Sequence, residues 1–377
     1  MVTSSTAPAG GPAQVTLALA GDVMLGRGID QILPHPGDPM LREEFIDDAR
    51  DYVRLAERAN GTIASPVDVT WPWGEMLTAL DAEQPDARVL NLETSVTRHA
   101  AFAPYKAVHY RMNPANLPSL TVARPDVCTL ANNHVLDFGV PGLEETLDML
   151  GASGLATAGA GRDVDEARTP ASVSLSGGGR LLVFSLGMAC SGIPGRWAAT
   201  SKRPGVDWYP QPTPEHAAEL IERVAAHKRD GEVVVASVHW GSNWGYGVPR
   251  AQVDFARRLI DGGMDLVHGH SSHHPRPIEV YRGRLILYGC GDLINDYEGI
   301  SGHEGYRGDL RPVYLASIER ATGRLAALRM LVLQARRLRL EWAGEQDTHW
   351  LRGVLAEHAG PGDGHLEVES DGVLALR

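Results

Sequence analysis

The chain predicts an α/β fold in which two β-sheets pack face to face and helices cover the outside. Three observations carry this. Apolar runs of strand length alternate with stretches of helical periodicity, and two pairs of β-like runs are joined by glycine turns. Several of the apolar runs also stop abruptly at a carboxylate, amide or imidazole.

Residues 15–20 (VTLALA) form a first strand, bounded by Gly21. Residues 43–59 predict a helix, with Phe45, Tyr52, Leu55 and Ala56 at roughly helical spacing. The Pro- and Trp-rich stretch 64–74 reads as a packed loop, followed by a short helix at 74–80 and a strand at 88–92. A helix at 114–122, a strand at 126–131 and a helix at 142–150 come next, the last stopped by Gly151 and Gly154. At 171–187, ASVSLS, GGGR and LLVFSLG read as a hairpin around a glycine turn. Residues 193–212 form a long loop, a candidate lid or substrate wall.

Helix 214–227, strand 232–239, helix 249–262 and strand 265–268 restore the alternation. Runs 278–280 and 285–288 make a second hairpin around Arg282-Gly283. Beyond Arg311 lie further β-like runs, a helix near 348–358 and a terminal strand near 364–376. The expected organisation is a disordered leader of small residues at 1–14, a domain at 15–310, and a β-rich segment at 311–377 packed on that same domain.

A formal net charge of -12 argues against a nucleic-acid partner, because phosphate backbones demand a basic surface. The three cysteines show neither CxxC spacing nor an even count, so no disulfide scaffold is expected. The start has no basic n-region and no apolar core of a signal peptide, and no apolar run approaches the roughly 18 residues of a membrane span. The expected location is cytoplasmic.

The chemistry sits at the strand ends. LALAGD ends at Asp22, RVLNLE at Glu93, VCTLANNH at Asn133 and His134, VVVASVH at His239, and MDLVHGHSSHH supplies His268, His270, His273 and His274. Residues just past the carboxyl ends of strands converge on one crevice in an α/β sheet. A His, Asp, Glu and Asn set there reads as the ligands of a metal centre.

Each residue also has a plainer reading. Asp22 can cap a helix beginning near Leu25. Asn91 and Glu93 share one strand face, which can be a ligand face or a wet one. Asn132-Asn133-His134 can be an ordinary Asn-rich turn. His270 and His273 flank a Ser-Ser turn and can converge from it, while His274 points elsewhere, to solvent or a supporting shell. Arg27, Lys106 and Arg276 are candidate holders of an anionic substrate group, with Arg27 first because of its place after the Asp22 turn. Tyr288, Cys290 and Asp292 follow one more strand and can close the pocket; Cys290 reads as a packed residue, not a nucleophile.

Five ordered blocks then resemble a known family: GDVMLGR at 21–27, NLETSVT at 91–97, LANNHVLDFG at 130–139, SVHWGSN at 237–243 and GHSSHHPRPIEVY at 269–281. They are similar to the block series of the CapA family, named for poly-γ-glutamate capsule synthesis, within the calcineurin-like metallophosphoesterase superfamily. The resemblance spans about residues 15–304. It implies a four-layer α/β/β/α sandwich and a ligand set of Asp22, Glu93, Asn133, His239, His270 and His273 around one or two divalent ions, with Mn, Zn or Fe as candidates.

In this scheme His134 serves as the proton carrier for the leaving group, Asn91 orients the site or touches substrate, and Arg27 holds substrate charge. Two departures mark the chain. Met24 stands where the superfamily's opening motif has a His, and Ser271-Ser272 lengthens the closing Gly-His-x-His. These favour one ion or an altered pair. The implied activity is a metal-dependent hydrolase or transferase acting on a phosphoester or a γ-glutamyl amide, with an anionic small molecule or polyglutamate as substrate. The alternative is a non-catalytic accessory protein in polyglutamate assembly or export.

Overall fold

The computed structural model describes residues 14–360, 364–370 and 372–377. The expected leader lies outside these, except that Gln14 opens the first strand.

One sheet runs in the order Leu366–Val368, Leu374–Leu376, Leu325–Ala335, Leu310–Glu319, Gln14–Val23, Ala87–Leu92, Val127–Thr129, Ala156–Ala158. Its first strand, Gln14–Val23, is central. It pairs in parallel with Ala87–Leu92 on one side and antiparallel with Leu310–Glu319 on the other. The second sheet runs Trp208–Tyr209, Arg180–Met188, Val233–His239, Leu266–His270, Arg284–Leu287, Ile278–Tyr281, with Ala171–Ser174 added to Arg180–Met188. Both expected hairpins form, as the antiparallel pairs Ala171–Ser174 with Arg180–Met188 and Ile278–Tyr281 with Arg284–Leu287.

Strand alternation sorts the apolar side chains into three cores. Leu17, Leu19, Val89 and Val127 of the first sheet meet Leu181, Val183, Val233, Val235 and Leu266 of the second, filling the space between the sheets. Their neighbours Ala18, Ala20, Leu90 and Cys128 face outward onto helices Met76–Glu83 and Gly139–Ala152 through Leu80, Leu143 and Leu147. On the far side, Phe184, Leu186, Val234, Ala236 and Val267 pack on helices Pro214–His227 and Arg250–Asp261. The layers are therefore α/β/β/α, and each fully buried Val or Leu contributes about 1.5–3 kcal/mol to them. Among the described residues, no helix is long and apolar enough to cross a membrane.

Local chemistry explains the elements. Helix Pro214–His227 starts with the Thr213 side chain accepting from the His216 N–H and with Pro in its first turn, and it buries Ala217, Leu220 and Val224 along one stripe. The expected helix at 43–59 begins only at Arg50. Residues before it are pulled into a loop because Glu43 turns inward to accept from Arg27 and from the Tyr52 hydroxyl, which outweighs helical propensity. The helix expected at 114–122 is a 3₁₀ turn, Pro114–Asn116, then one α-turn, Pro118–Thr121. The stretch 193–212 carries two short strands, Gly205–Val206 and Trp208–Tyr209, the latter pairing in parallel with Arg180–Met188.

Candidate metal centre

The two sheets bring the carboxyl ends of their parallel strands to one edge. Along Val233–His239, Val233 and Val235 face the inter-sheet core, so Ser237 and His239 face the same way. Leu266 sets the same parity for His268 and His270, and Val89 sets it for Asn91.

Asp22 is the exception that a bulge resolves. Leu17 and Leu19 face the other sheet, so simple alternation turns Asp22 outward, toward the helices. The pairing instead slips by one residue: Ala20 lies opposite Leu90, and Asp22 opposite Asn91. Gly21 is the extra residue, and the slip swings Asp22 onto the inter-sheet face. Only glycine fits there, because a Cβ at Gly21 lies 1.7 Å from the Gly291 carbonyl oxygen. Asp22 is no helix cap; the following short helix begins at Gly28.

The ligand atoms of Asp22, His239 and His270 all lie within 4.8 Å of one another, and all three residues are buried. His270 Nδ1 is 2.8 Å from His239 Nδ1 and 3.7 Å from Asp22 Oδ1. Burial holds both imidazoles well below their usual pKa, so they present neutral nitrogen lone pairs. Asp22 is pushed up to about 7 by burial and by the Asp292 carboxylate. Glu93 is raised well above the usual range by burial and by Asp22. Among the described residues, no lysine or arginine is ion-paired with either carboxylate. One anionic oxygen and two neutral imidazoles, buried without a cationic side chain, fit a borderline divalent ion.

The other expected ligands stand around this trio. Glu93 Oε1 is 3.7 Å from His239 Nε2 and 3.8 Å from His134 Nε2. Asn133 Oδ1 is 3.0 Å from His239 Nε2. His273 turns its Nδ1 onto Asp292 Oδ1 at 3.0 Å, and although burial opposes it, that carboxylate raises the His273 pKa. Asn91 bridges the carboxylates, donating to Asp22 Oδ1 at 2.7 Å and to Glu93 Oε2 at 3.3 Å. The lengthened closing turn has a visible job: Ser271, at φ 101°, donates its backbone N–H to Asp22 Oδ2 at 3.1 Å.

His134 stands on a loop shaped by Asn132, whose amide oxygen accepts from the backbone N–H of His134 and Val135 and whose nitrogen donates to Asn91 and Leu92. Its Nδ1 lies 2.6 Å from Asp137 Oδ2 and 2.9 Å from Lys106 Nζ, and Lys106 is itself 2.7 Å from Asp137 Oδ1. Burial and Lys106 push His134 down to about 4. The short bond to a carboxylate favours the ring proton on Nδ1, leaving the Nε2 lone pair toward Glu93.

Arg27 is buried and fully engaged. Its Nε and Nη2 form a bidentate pair with Asp296 at 2.9 and 2.5 Å, Nη1 meets Glu43 at 2.9 Å, and its plane lies over Tyr52 and Tyr110. Lys106 is likewise held by Asp137. Arg276 donates to Ser242, and no acidic partner faces it among the described residues. His274 points inward, not to solvent: its Nε2 accepts from the Gly245 N–H, and Trp244 and Tyr306 stack on it.

Sequence reading leaves Asp137, Ser237 and Asp296 unassigned and places Asp292 only as a pocket wall. Asp292 pairs with Asp22 in register, accepts from His273, and lies 3.3 Å from Arg311 Nη1. Asp137, three residues after His134, is the one omission with a local signal.

A buried oxygen and nitrogen trio at the meeting edge of two sheets is a group of ligand atoms that could hold a metal ion. The chain belongs to the family described as bacterial capsule synthesis protein PGA_cap, whose model matches residues 16–297. It is 52% identical, over 92% of both chains, to a probable polyglutamine synthesis accessory protein of Mycobacterium tuberculosis (strain ATCC 25618 / H37Rv). It is 26% identical to the PGA biosynthesis protein CapA of Bacillus subtilis (strain 168), over 75% of this chain and 63% of that one. Among solved structures, a 5'-nucleotidase precursor from Thermus thermophilus aligns with TM-score 0.47 and 14% identity, over 92% of this chain and 58% of that one.

Proposed function

We propose that the chain is a metal-dependent hydrolase or transferase that holds one divalent ion, Mn, Zn or Fe, on Asp22, His239 and His270, and acts on an anionic polyglutamate-type substrate. The convergence of those three buried ligands beside an unbalanced carboxylate pair carries the reading. Neighbouring carboxylates each have a cationic partner: Asp296 and Glu43 share Arg27, Asp137 has Lys106, and Asp292 has Arg311 and His273. Asp22 and Glu93 have no lysine or arginine ion-paired with them among the described residues, and a divalent cation would hold both in the ionised form that burial disfavours.

A bound ion supplies Lewis-acid polarisation of a carbonyl or phosphoryl oxygen. The chain's own groups do the rest. Asn91 and the Ser271 N–H fix the Asp22 carboxylate. His134, oriented by Asp137 and Lys106, offers Nε2 as the site that takes a proton and returns it to the leaving group. Arg27 holds the loop after the first strand by gripping Asp296, so its part is positioning. A cavity of about 380 Å³ beside His273, lined by Trp244, Tyr297, His303 and Arg311, gives room for the substrate beyond the reacting bond.

The names of the relatives, which speak of polyglutamine synthesis and of PGA biosynthesis, favour a polymer of this kind over a phosphoester as substrate. The word accessory in one of them favours a second reading, in which the site binds without turnover. Elemental analysis of purified protein, with a γ-glutamyl peptide and an aryl phosphodiester as substrates, separates the two. The enzyme reading expects a bound ion and turnover lost in His270→Ala. A protein that carries no metal, and in which His270→Ala changes no activity, overturns it.

A further inference from the structure

Beneath the ion-facing atoms lies a chain of hydrogen bonds that neither the fold nor the ligand set requires. His268 Nε2 is 2.9 Å from the Ala20 carbonyl oxygen, His268 Nδ1 is 3.1 Å from Ser237 Oγ, and Ser237 Oγ is 2.9 Å from His270 Nε2. All three side chains are buried.

The proton order follows from one end. A carbonyl oxygen only accepts, so His268 Nε2 carries hydrogen. Among the described residues no carboxylate contacts His268, and a doubly protonated ring there is an unpaired buried cation, so Nδ1 is bare. Ser237 has one hydroxyl hydrogen and three possible acceptors in reach, His270 Nε2 at 2.9 Å, His268 Nδ1 at 3.1 Å and Thr129 Oγ1 at 3.3 Å. The bare His268 Nδ1 can only accept and is otherwise left unpaired, whereas His270 Nε2 can carry its own hydrogen, so the Ser237 hydrogen goes to His268. Ser237 Oγ then accepts, and His270 Nε2 is the donor. His270 Nδ1 is left with its lone pair, facing Asp22 Oδ1 at 3.7 Å and His239 Nδ1 at 2.8 Å.

We infer that Ser237 and His268 are positioning residues: a proton-ordered relay from the Ala20 carbonyl that locks His270 in its Nε2–H tautomer and reserves Nδ1 for a divalent cation. The relay rests on the metal-centre reading for its purpose, but its proton order stands without an ion. It also starts at the bulge that turns Asp22 inward, so one local irregularity sets two of the three ligands. A partner on the far nitrogen is the general means of fixing a liganding imidazole.

The test uses full-length protein with ¹⁵N-labelled histidine. Long-range ¹H–¹⁵N spectra of chelator-treated protein read the tautomer of His270, assigned by His270→Ala. Zinc affinity is measured by competition with a chromophoric chelator. The expected result is an Nε2–H tautomer in the wild type, lost in Ser237→Ala with affinity about 10–100-fold weaker, and both restored in Ser237→Thr, which keeps the hydroxyl. His268→Asn, if folded, weakens binding in the same direction. An Nδ1–H His270 in the wild type, or Ser237→Ala and Ser237→Thr indistinguishable from wild type in both readouts, overturns the relay. A wild type that binds no zinc overturns the metal-centre reading instead, and the tautomer still decides the relay.

Discussion

Replacing Gly21 by alanine tests whether the bulge is what aims Asp22. The added Cβ is placed 1.7 Å from the Gly291 oxygen, 2.9 Å from its carbonyl carbon and 3.2 Å from Cys290 Cβ. The obstruction is backbone, so no side chain can swing away. The two segments have to part by roughly 1.3 Å before even the tightest ordinary contact is reached. That motion breaks the bond from Asp22 N–H to Gly291 O, 3.2 Å long, and strains the register of Asp22 with Asp292. Overpacking of this kind costs about 1–3 kcal/mol, and the lost hydrogen bond about 1 kcal/mol.

A combined loss of about 2–4 kcal/mol lowers Tm by roughly 2.5–5 °C in a chain of this size. Zinc affinity falls about tenfold or more as Asp22 leaves its place. Thermal and urea unfolding of metal-free protein gives the first quantity, and chelator competition the second. Gly151→Ala is the control: it lies in helix Gly139–Ala152, with no atom within 4 Å of its Cβ, and is expected to be neutral or slightly stabilising. A Gly21→Ala protein that melts within about 1 °C of wild type and binds zinc equally well refutes the reasoning.

Arg27→Met leaves the buried Asp296 and half-buried Glu43 carboxylates without their cation; the expected cost is about 3–5 kcal/mol of stability in urea unfolding, only partly recovered in Arg27→Lys, which cannot form the bidentate pair. Divalent metal at about 100 times its Kd stabilises the wild type by about 2.7 kcal/mol, and a chelator reverses the shift; His270→Ala shows neither effect, and an equal shift in that variant counts against the ligand set. Native protein at pH 8 titrates one thiol with a chromogenic disulfide, Cys190, which is exposed. Cys128 is pushed up to about 12 by burial, so raising the pH to 9 leaves the native count at one, and all three react only on unfolding.

The layers and the strand ends were legible because each apolar run ends where its sheet meets the site, as at Glu93 and His239. The spread of the six expected ligands was not. The direction of each histidine ring depends on its tertiary partners, and His273 turns its Nδ1 to Asp292, a strand residue nineteen positions further on. Alternation along the first strand even points Asp22 the wrong way, since a bulge depends on the partner strand and leaves only Gly21 as its trace. The false start of the helix at 43 has a similar cause: Glu43 serves a buried arginine sixteen residues upstream. Arg27 reads as free for substrate because its partner Asp296 is distant in sequence.

The central place of the first strand also sets an order of assembly. Gln14–Val23 gains its antiparallel neighbour only when Leu310–Glu319 has been made, and Asp22 gains Asp292 only shortly before that. At about 5–20 residues per second, ribosomal synthesis separates these events by roughly 15–60 s. For that interval the nascent chain carries an apolar strand with one edge unpaired, the kind of edge that recruits other strands. Productive folding of this protein therefore depends on keeping that strand sheltered until Leu310–Glu319 has emerged to cover it.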